Sequence, residues 1–386
     1  MPRILYLGDH LGYADGVLHG GTVYALNVFP ALVRAGCEVE CCFLDREHRA
    51  ASVLRDGGVS VKFLGAGKWN PIAAAQSLHE ARSFSPDVLH LSGQKSSLLG
   101  RMAARLIGVP AVVHVHDLVP VPAGMRVAYM LAASSRDRGV AVSQAVRAHM
   151  ARYYGLPLAQ SSVIWNGVDD RWAAQRPEGE PRPSPADAVV LTIGRFHSEK
   201  GQAQLINMVP ALLRRFPAVK FRFAGDGPLL KDCRAQARAL GVAANVEFLG
   251  QRDDIPALIE QATLVAVPSL SEGLSMAALE AATIGRAVVA FDCGGTCEAV
   301  LSGRTGLLAP PGDSAAFVEA LSHLLSNTKL RVEMERAAIE HSRQFTLGRL
   351  VASLLTVYRE MGQSRSDKMG QSGTHKLGRT KTHAGR

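Results

Sequence analysis

Several features that mark other protein classes are missing from this chain of 386 residues. No apolar run reaches the roughly 18 residues that a membrane-spanning helix needs. The start, MPRILYLGDH, has no apolar signal-peptide stretch and passes almost at once into a short strand pattern. No C-x-x-C pair occurs among the six cysteines, so neither a zinc site nor a dithiol motif is indicated. These absences predict a cytosolic chain whose cysteines are reduced and structural.

Acidic residues are scarce at the C-terminus, where positive charge collects. The formal net charge is +9, and residues 362–386 hold six Lys or Arg against one acid, Asp367. This segment is rich in Gly, Ser, Thr and Lys, so it cannot bury a core and is predicted to be a disordered basic tail. It suits a solvated tail or a peripheral contact with an anionic membrane or nucleic acid, although no specific nucleic-acid binding is expected.

The rest of the chain reads as two domains of similar construction. Short β-branched runs alternate with helical patterns, which indicates parallel sheets covered on both faces. The Pro-rich segment RPEGEPRPSPAD, residues 176–187, interrupts this alternation and is predicted to be a linker. We therefore expect an α/β protein with two doubly wound, Rossmann-like domains, residues 1–175 and 188–345, and a helix at 346–361 that packs back on the first.

Two such domains place the carboxyl ends of both sheets around a central cleft, where ligands of open parallel sheets bind. No G-x-G-x-x-G opens either domain, which argues against a nicotinamide dehydrogenase. Arg195 and Lys200 instead follow the first strand of the second domain. A planar fork and a point charge, five residues apart, suit a diphosphate.

Two glutamates punctuate the stretch SEGLSMAALEAATIG, residues 271–285. Ser275 predicts a helix cap and Gly285 a helix end, so Glu272 precedes the helix and Glu280 lies two turns along it. The helix N-terminus favours an anion. Eight helical residues span about 12 Å, more than the roughly 5 to 9.5 Å of a hydrolytic carboxylate pair. The two acids fit separate parts of one long ligand, a sugar hydroxyl and a ribose.

Together these segments resemble the donor-binding half of the retaining GT-B glycosyltransferases of family 4, in which E-x7-E recurs. The matching segments are GRFHSEKG, AGDGPLL, VEFLGQRDDI, PSLSEGLSMAALEA and GGTCEAVLSGRTGLLAPPGD. The resemblance implies that Arg195 and Lys200 hold the donor diphosphate. It implies that Glu280 accepts the ribose hydroxyls and that Glu272 bonds the transferred sugar. The amides of Ser275 and Met276 would help bind the donor, although this chain departs from the family's usual E-G-F-G at Ser275.

The first domain supplies the other side of the cleft. Gly20 and Gly21 precede Thr22, a predicted helix cap, and glycines there let backbone N–H groups approach a phosphate. The resemblance implies the same contact with the donor. His116, followed by Asp117, ends the predicted strand AVVHVH and resembles the family's cleft histidine, which contacts the transferred sugar near its reacting carbon.

We therefore expect a hexosyltransferase-type enzyme that moves a sugar from a nucleotide-diphosphate sugar to a hydroxyl of a glycan or lipid-linked acceptor, with retention. Such work fits polysaccharide biosynthesis in the cytoplasm or at the inner face of the membrane. No cofactor is expected, and no metal, because D-x-D is absent from the chain. Two alternatives remain at this level: a nucleotide-sugar epimerase of similar build, and a non-catalytic anion-binding module.

Overall fold

The computed structural model describes residues 1–12, 20–65, 71–175 and 188–374. The predicted linker, residues 176–187, lies outside these ranges. Within them the chain forms two parallel sheets, one of seven strands and one of six, each covered by helices. The predicted α/β architecture is confirmed.

The first sheet has the strand order β3-β2-β1-β4-β5-β6-β7. Its strands are β1 Arg3–Gly8, β2 Glu38–Phe43, β3 Ser60–Phe63, β4 Val88–Ser92, β5 Ala111–Val115, β6 Arg138–Ala141 and β7 Ser161–Val163. Its helices are α1 Gly20–Arg34, α2 Ala51–Asp56, α3 Pro71–Phe84, α4 Gln94–Ile107, α5 Ala123–Ala132 and α6 Gln144–Tyr153. The order reverses between β1 and β4, so the loops after these strands open a crevice at the carboxyl edge.

The second sheet has the order β10-β9-β8-β11-β12-β13 and reverses between β8 and β11. Its strands are β8 Val189–Ile193, β9 Lys220–Ala224, β10 Val246–Gly250, β11 Leu264–Val267, β12 Val288–Phe291 and β13 Gly306–Ala309. Its helices are α7 Gln202–Arg215, α8 Leu230–Ala239, α9 Ile255–Gln261, α10 Met276–Ile284, α11 Thr296–Ala299, α12 Ser314–Ser326 and α13 Thr328–Ser342. Arg195 and Lys200 thus follow one switch-point strand, and Glu272 follows the other.

One strand and the start of one helix differ from the sequence prediction. Strand β13, with the sequence GLLA, was not predicted, because it is short and has no β-branched residue to distinguish it from a turn. Helix α1 begins at Gly20, so Thr22 lies in its first turn and is not the cap. The reason for the second difference is that Gly tolerates helical as well as extended backbone.

The last helix, α14, spans Leu347–Thr374 and returns to the first domain. Its apolar side chains, among them Leu350, Leu354 and Tyr358, join the core formed by β1, β2 and α1. The prediction of a disordered tail from residue 362 was therefore wrong as far as Thr374. A packed helix extends at little cost per residue once it is nucleated. Residues 375–386 lie outside the described ranges.

The two domains touch closely along the cleft. The Glu298 carboxylate of α11 accepts two hydrogen bonds from the first domain. The donors are the backbone N–H of Gln144, at 2.7 Å, and Nε1 of Trp165, also at 2.7 Å. Gly273 packs against the His116 carbonyl so closely that a Cβ there would overlap it. In the described part of the chain, no helix is both long and apolar enough to cross a membrane.

Candidate functional site

One ion pair joins two residues that the sequence assigned to different parts of the ligand. Lys200 Nζ lies 2.7 Å from Glu272 Oε1, and the Glu272 carboxylate is largely buried. Lys200 ends a short 3₁₀ turn, and the following Gly201 has φ +69° with its α-carbon against the Pro268 carbonyl. This left-handed glycine lets the loop after β8 lie against the end of β11, which brings the two charges together.

Arg195 stands beside this pair on the same loop. Its guanidinium lies 3.2 Å from a Glu199 oxygen. The Gln202 side chain donates to the carbonyls of Gly194 and Arg195, at 3.3 and 3.0 Å, and so holds the loop backbone. Gly225, in the next loop, has φ +146° and no room for a Cβ beside the Gly194 carbonyl. Both predicted cations therefore sit on a tightly packed strand end.

Helix α10 begins where the sequence predicted. The Ser275 hydroxyl caps it by accepting from the Ala278 amide at 3.4 Å, and Gly285 ends it with φ +86°. Met276 is its first residue, so the free N–H groups of the first turn adjoin Glu272. The helix dipole favours negative charge at this end.

Glu280 stands apart from the other acids. Within the described residues its carboxyl group takes part in no hydrogen bond or ion pair, and burial raises its pKa to about 8. The side chain is half-buried, and acids with a raised pKa concentrate at functional sites. Glu280 lies at the middle of α10, where its carboxyl group is available to a ligand.

His116 lies on the first-domain side, directly after β5. Its ring packs between Tyr24, at 4.5 Å, and His114, at 4.1 Å between ring centroids. Neither ring nitrogen has a hydrogen-bond partner in the described parts of the protein. Burial lowers the pKa of His116 to about 4, so the imidazole is neutral near pH 7. Because Gly273 abuts the His116 carbonyl, the backbone at the end of β5 lies against the loop that carries Glu272.

A row of buried aromatic side chains supports His116. Tyr358 of α14 bonds His90 Nδ1 at 2.5 Å, and His90 Nε2 lies 3.1 Å from His114 Nδ1. Burial lowers the pKa of His90 to about 3 and that of His114 well below its ordinary value. The sequence indicated none of these contacts, although the H-x-H spacing on β5 does place His114 and His116 on one face.

The remaining predicted residues lie at the edge of the described structure. Gly20 and Gly21 open α1, and Tyr24 on the same helix touches His116. No atom of the described residues lies within 4 Å of where a Cβ of Gly20 would stand. Residues 13–19 of the preceding loop lie outside the described ranges.

Three further carboxyl groups lie at this carboxyl edge: Asp117, which the sequence analysis named beside His116, and Asp9 and Glu199, which it did not name. Asp9 follows β1 and accepts from the Ser96 amide at 2.7 Å, so it caps α4. Burial raises the pKa of Asp117, and the charges of Glu199 and Asp9 add to the effect. The signal for these residues was their position after strands β1, β5 and β8, at the carboxyl edge.

The site and fold define a two-domain enzyme that can hold an anionic ligand between a cationic strand end and a neutral histidine. Comparison with known proteins gives the family. Residues 18–172 match Glycosyltransferase Family 4, and residues 187–327 match glycosyl transferases group 1. The chain belongs to this family and is a glycosyltransferase.

Individual relatives agree. The D-inositol 3-phosphate glycosyltransferase of Salinispora arenicola is 31% identical over 310 residues, 71% of this chain and 68% of that protein. The glycogen synthase of Mycobacterium tuberculosis is 30% identical over 272 residues, which span 67% of this chain and 64% of that protein. The Anabaena protein HepE, solved with UDP and glucose, matches with a TM-score of 0.80 and 22% identity over 93% of this chain and 100% of its own. The expected GT-B fold is confirmed.

Proposed function

We propose that this glycosyltransferase uses a nucleotide-diphosphate sugar as donor and a hydroxyl group of a sugar, polyol or lipid-linked glycan as acceptor, with retention at the anomeric carbon. The observation that carries the proposal is the grouping at the second domain's switch point. Lys200 and Glu272 form an ion pair beside the N-terminus of α10, and Glu280, on the same helix, has no partner among the residues that the structure describes. Cations, a helix N-terminus and two acids in this order suit a nucleotide sugar, which carries phosphates between two groups of hydroxyls.

Each residue then has one task. Arg195, Lys200 and the first amides of α10, at Ser275 and Met276, neutralise the diphosphate as it departs. Glu280 bonds the ribose hydroxyls. Glu272 bonds a hydroxyl of the transferred sugar and, through Lys200, links sugar binding to the phosphate site.

The first domain completes the pocket. Gly20 and Gly21 at the start of α1 offer backbone N–H groups to the diphosphate. His116, held neutral, bonds the sugar without placing a second positive charge beside the reacting carbon. The leaving phosphate helps to deprotonate the acceptor hydroxyl, and closure of the domains keeps water out.

No metal or other cofactor takes part in this proposal, because the fixed cations meet the charge of the diphosphate. Turnover should therefore survive dialysis against EDTA. Activity that is abolished by the chelator and restored by Mn²⁺ would overturn the assignment of Arg195 and Lys200 to the diphosphate.

The test of function is a donor screen. UDP, GDP, ADP and TDP sugars are compared by thermal shift, since a bound donor stabilises the fold. UDP-glucose comes first, because HepE was solved with UDP and glucose. The productive donor is then incubated with acceptors, beginning with inositol phosphate, glucans and lipid-linked sugars. Release of nucleotide diphosphate and an α-linked product from an α-linked donor, seen by NMR, supports the proposal.

Two other results would contradict it. Isomerised donor without an acceptor identifies an epimerase, and binding without turnover identifies an anion-binding module. The basic segment 362–386 adds a finer expectation, peripheral contact with an anionic membrane. Removing residues 375–386 should leave turnover on a soluble acceptor unchanged and weaken binding to anionic vesicles.

A further inference from the structure

One side of the first domain exposes large apolar side chains on two neighbouring helices. On α5, Val127, Met130 and Leu131 are 55%, 65% and 74% exposed and share one helical face. On α4, Met102 and Leu106 are 49% and 65% exposed. We name this surface, formed by these five side chains, the α4–α5 face. Single exposed apolar residues are ordinary, but a contiguous group of them indicates an interaction site.

Contacts between the helices show that the five side chains form one surface. Arg105, on the same side of α4 as Met102 and Leu106, donates to the Leu131 carbonyl at 3.4 Å. Arg136 donates to the carbonyl of Gly108, just past the end of α4, at 3.1 Å. The C-terminal ends of α4 and α5 are therefore side by side.

The charges around the face are of one sign. Between residues 118 and 168 the only acid is Asp137, which is 3% exposed and bound to buried Arg101 at 2.8 Å. Exposed arginines surround the apolar side chains, and in the described structure none of them pairs with an acid. They are Arg105, Arg126, Arg136 and Arg152. The guanidinium groups of Arg126 and Arg152 each lie over the Tyr153 ring, at 5.0 and 5.2 Å from its centroid.

We propose that the α4–α5 face docks on an anionic lipid bilayer. The face has exposed apolar side chains, arginines around them and no exposed acid between residues 118 and 168. Helices that insert at the boundary between lipid headgroups and acyl chains have this composition. Arginines at the rim would then lie level with lipid phosphates. A second copy of this chain is a poorer occupant, because a two-fold contact would set the same basic rim against itself.

The α4–α5 face lies toward the C-terminal ends of its two helices. The cleft adjoins their N-terminal ends, where the loop between β5 and α5 starts at His116. Docking through this face therefore leaves the cleft uncovered, and the docking does not rest on the proposed function.

The experiment is flotation of the full-length protein with vesicles of phosphatidylcholine alone or with about a third phosphatidylglycerol. The wild-type protein should float only with the anionic vesicles, and increasingly less as NaCl rises from about 0.05 to 0.5 M. Met130→Gln combined with Leu131→Gln should lower the bound fraction at least tenfold, and Arg126→Glu should do the same. The matched control is Val53→Gln, since Val53 is 50% exposed on α2 at the other side of the sheet and should be without effect.

Three results would overturn the proposal. The wild-type protein does not float with anionic vesicles. Binding persists in the Met130→Gln, Leu131→Gln variant but disappears when residues 375–386 are removed. Light scattering shows a wild-type dimer that this variant converts to monomer. Turnover on a soluble acceptor, measured in parallel, separates these outcomes from a failure of the proposed function.

Discussion

At the scale of single residues, the ion pair joins Lys200, which the sequence assigned to the diphosphate, to Glu272, which it assigned to the transferred sugar. Glu272 is nearly buried, so removal of Lys200 takes away the counter-charge that lies 2.7 Å from its carboxylate. Breaking such a pair by taking one partner away is costly, because the remaining charge is uncompensated. Variants of the two positions are therefore expected to interact.

Lys200→Ala should weaken binding of the free nucleotide diphosphate by about 10- to 100-fold, since a charged hydrogen bond contributes about 1.5–3 kcal/mol. Glu272→Gln should leave that binding intact, because Lys200 stays available, while turnover falls. Titration calorimetry of both variants and of the double variant checks this, with a coupling of about 0.5–3 kcal/mol expected. Unchanged nucleotide binding in Lys200→Ala would remove this residue from the phosphate site.

Glu280 makes stability depend on pH. Its folded pKa of about 8 lies above its ordinary value of 4.5, so the folded state holds the proton more tightly than the unfolded state. The wild type therefore loses stability as pH rises from about 4.5 to 8, and the loss levels off above pH 8. Glu280→Gln cannot ionise and should melt increasingly above the wild type across that window. A difference in melting temperature between the two proteins that stays constant from pH 5 to 9 would show that the pKa of Glu280 is not raised in the folded state.

At the scale of elements, α14 belongs to the first domain although it comes last in the chain. Tyr358 joins the core beside α1 and β2 and bonds His90. The row of His90 and His114 then carries this support to His116. A helix distant in sequence thus sets the position of a site residue.

Tyr358→Phe removes only the hydroxyl and leaves His90 without that bond. The free energy of unfolding should fall by about 1–3 kcal/mol, the cost of a buried polar group left unsatisfied. Urea denaturation measures it. Tyr153→Phe is the matched control, because no hydrogen bond of the Tyr153 hydroxyl is found in the described structure. Equal effects of the two substitutions would show that the bond to His90 contributes nothing.

At the scale of the whole molecule, glycines and one glutamate allow the domains to meet. Gly273 lies against the His116 carbonyl of the first domain. Gly294 and Gly295 lie close to the first-domain side chains of Leu118 and Ser143, and a Cβ at any of these glycines would overlap the first domain. Glu298 fastens this contact through two hydrogen bonds. The cleft is therefore closed by backbone approach as well as by side chains.

Glu298→Ala should release this contact and favour an open arrangement of the domains. The radius of gyration from small-angle X-ray scattering should increase. Turnover should fall about tenfold or more, since one misplaced wall of a site costs that much. Binding of nucleotide diphosphate should weaken less than turnover falls, because Arg195, Lys200 and Glu280 of the second domain remain in place. Glu319→Ala is the control, because its partner Arg215 is in the same domain and both are exposed. An unchanged radius would show that other contacts hold the domains together.

The sequence by itself determined the two parallel-sheet domains and the positions of Arg195, Lys200 and the capped helix after Ser275. These depend on local patterns: apolar runs, strand ends and cap residues within a few positions of one another. Strand β13 was not predicted, because its four residues carry no such pattern. The extension of α14 beyond residue 361 escaped because packing, rather than composition, nucleates it.

The tertiary structure alone decided which of these residues meet. Lys200 and Glu272 are 72 positions apart, Gln144 and Glu298 are 154 apart, and His90 and Tyr358 are 268 apart. No local spacing encodes such pairs, since each depends on how whole helices and strands pack. The folded chain brings Lys200 to Glu272. Burial, which only the folded chain creates, raises the pKa of Glu280 and keeps His116 neutral.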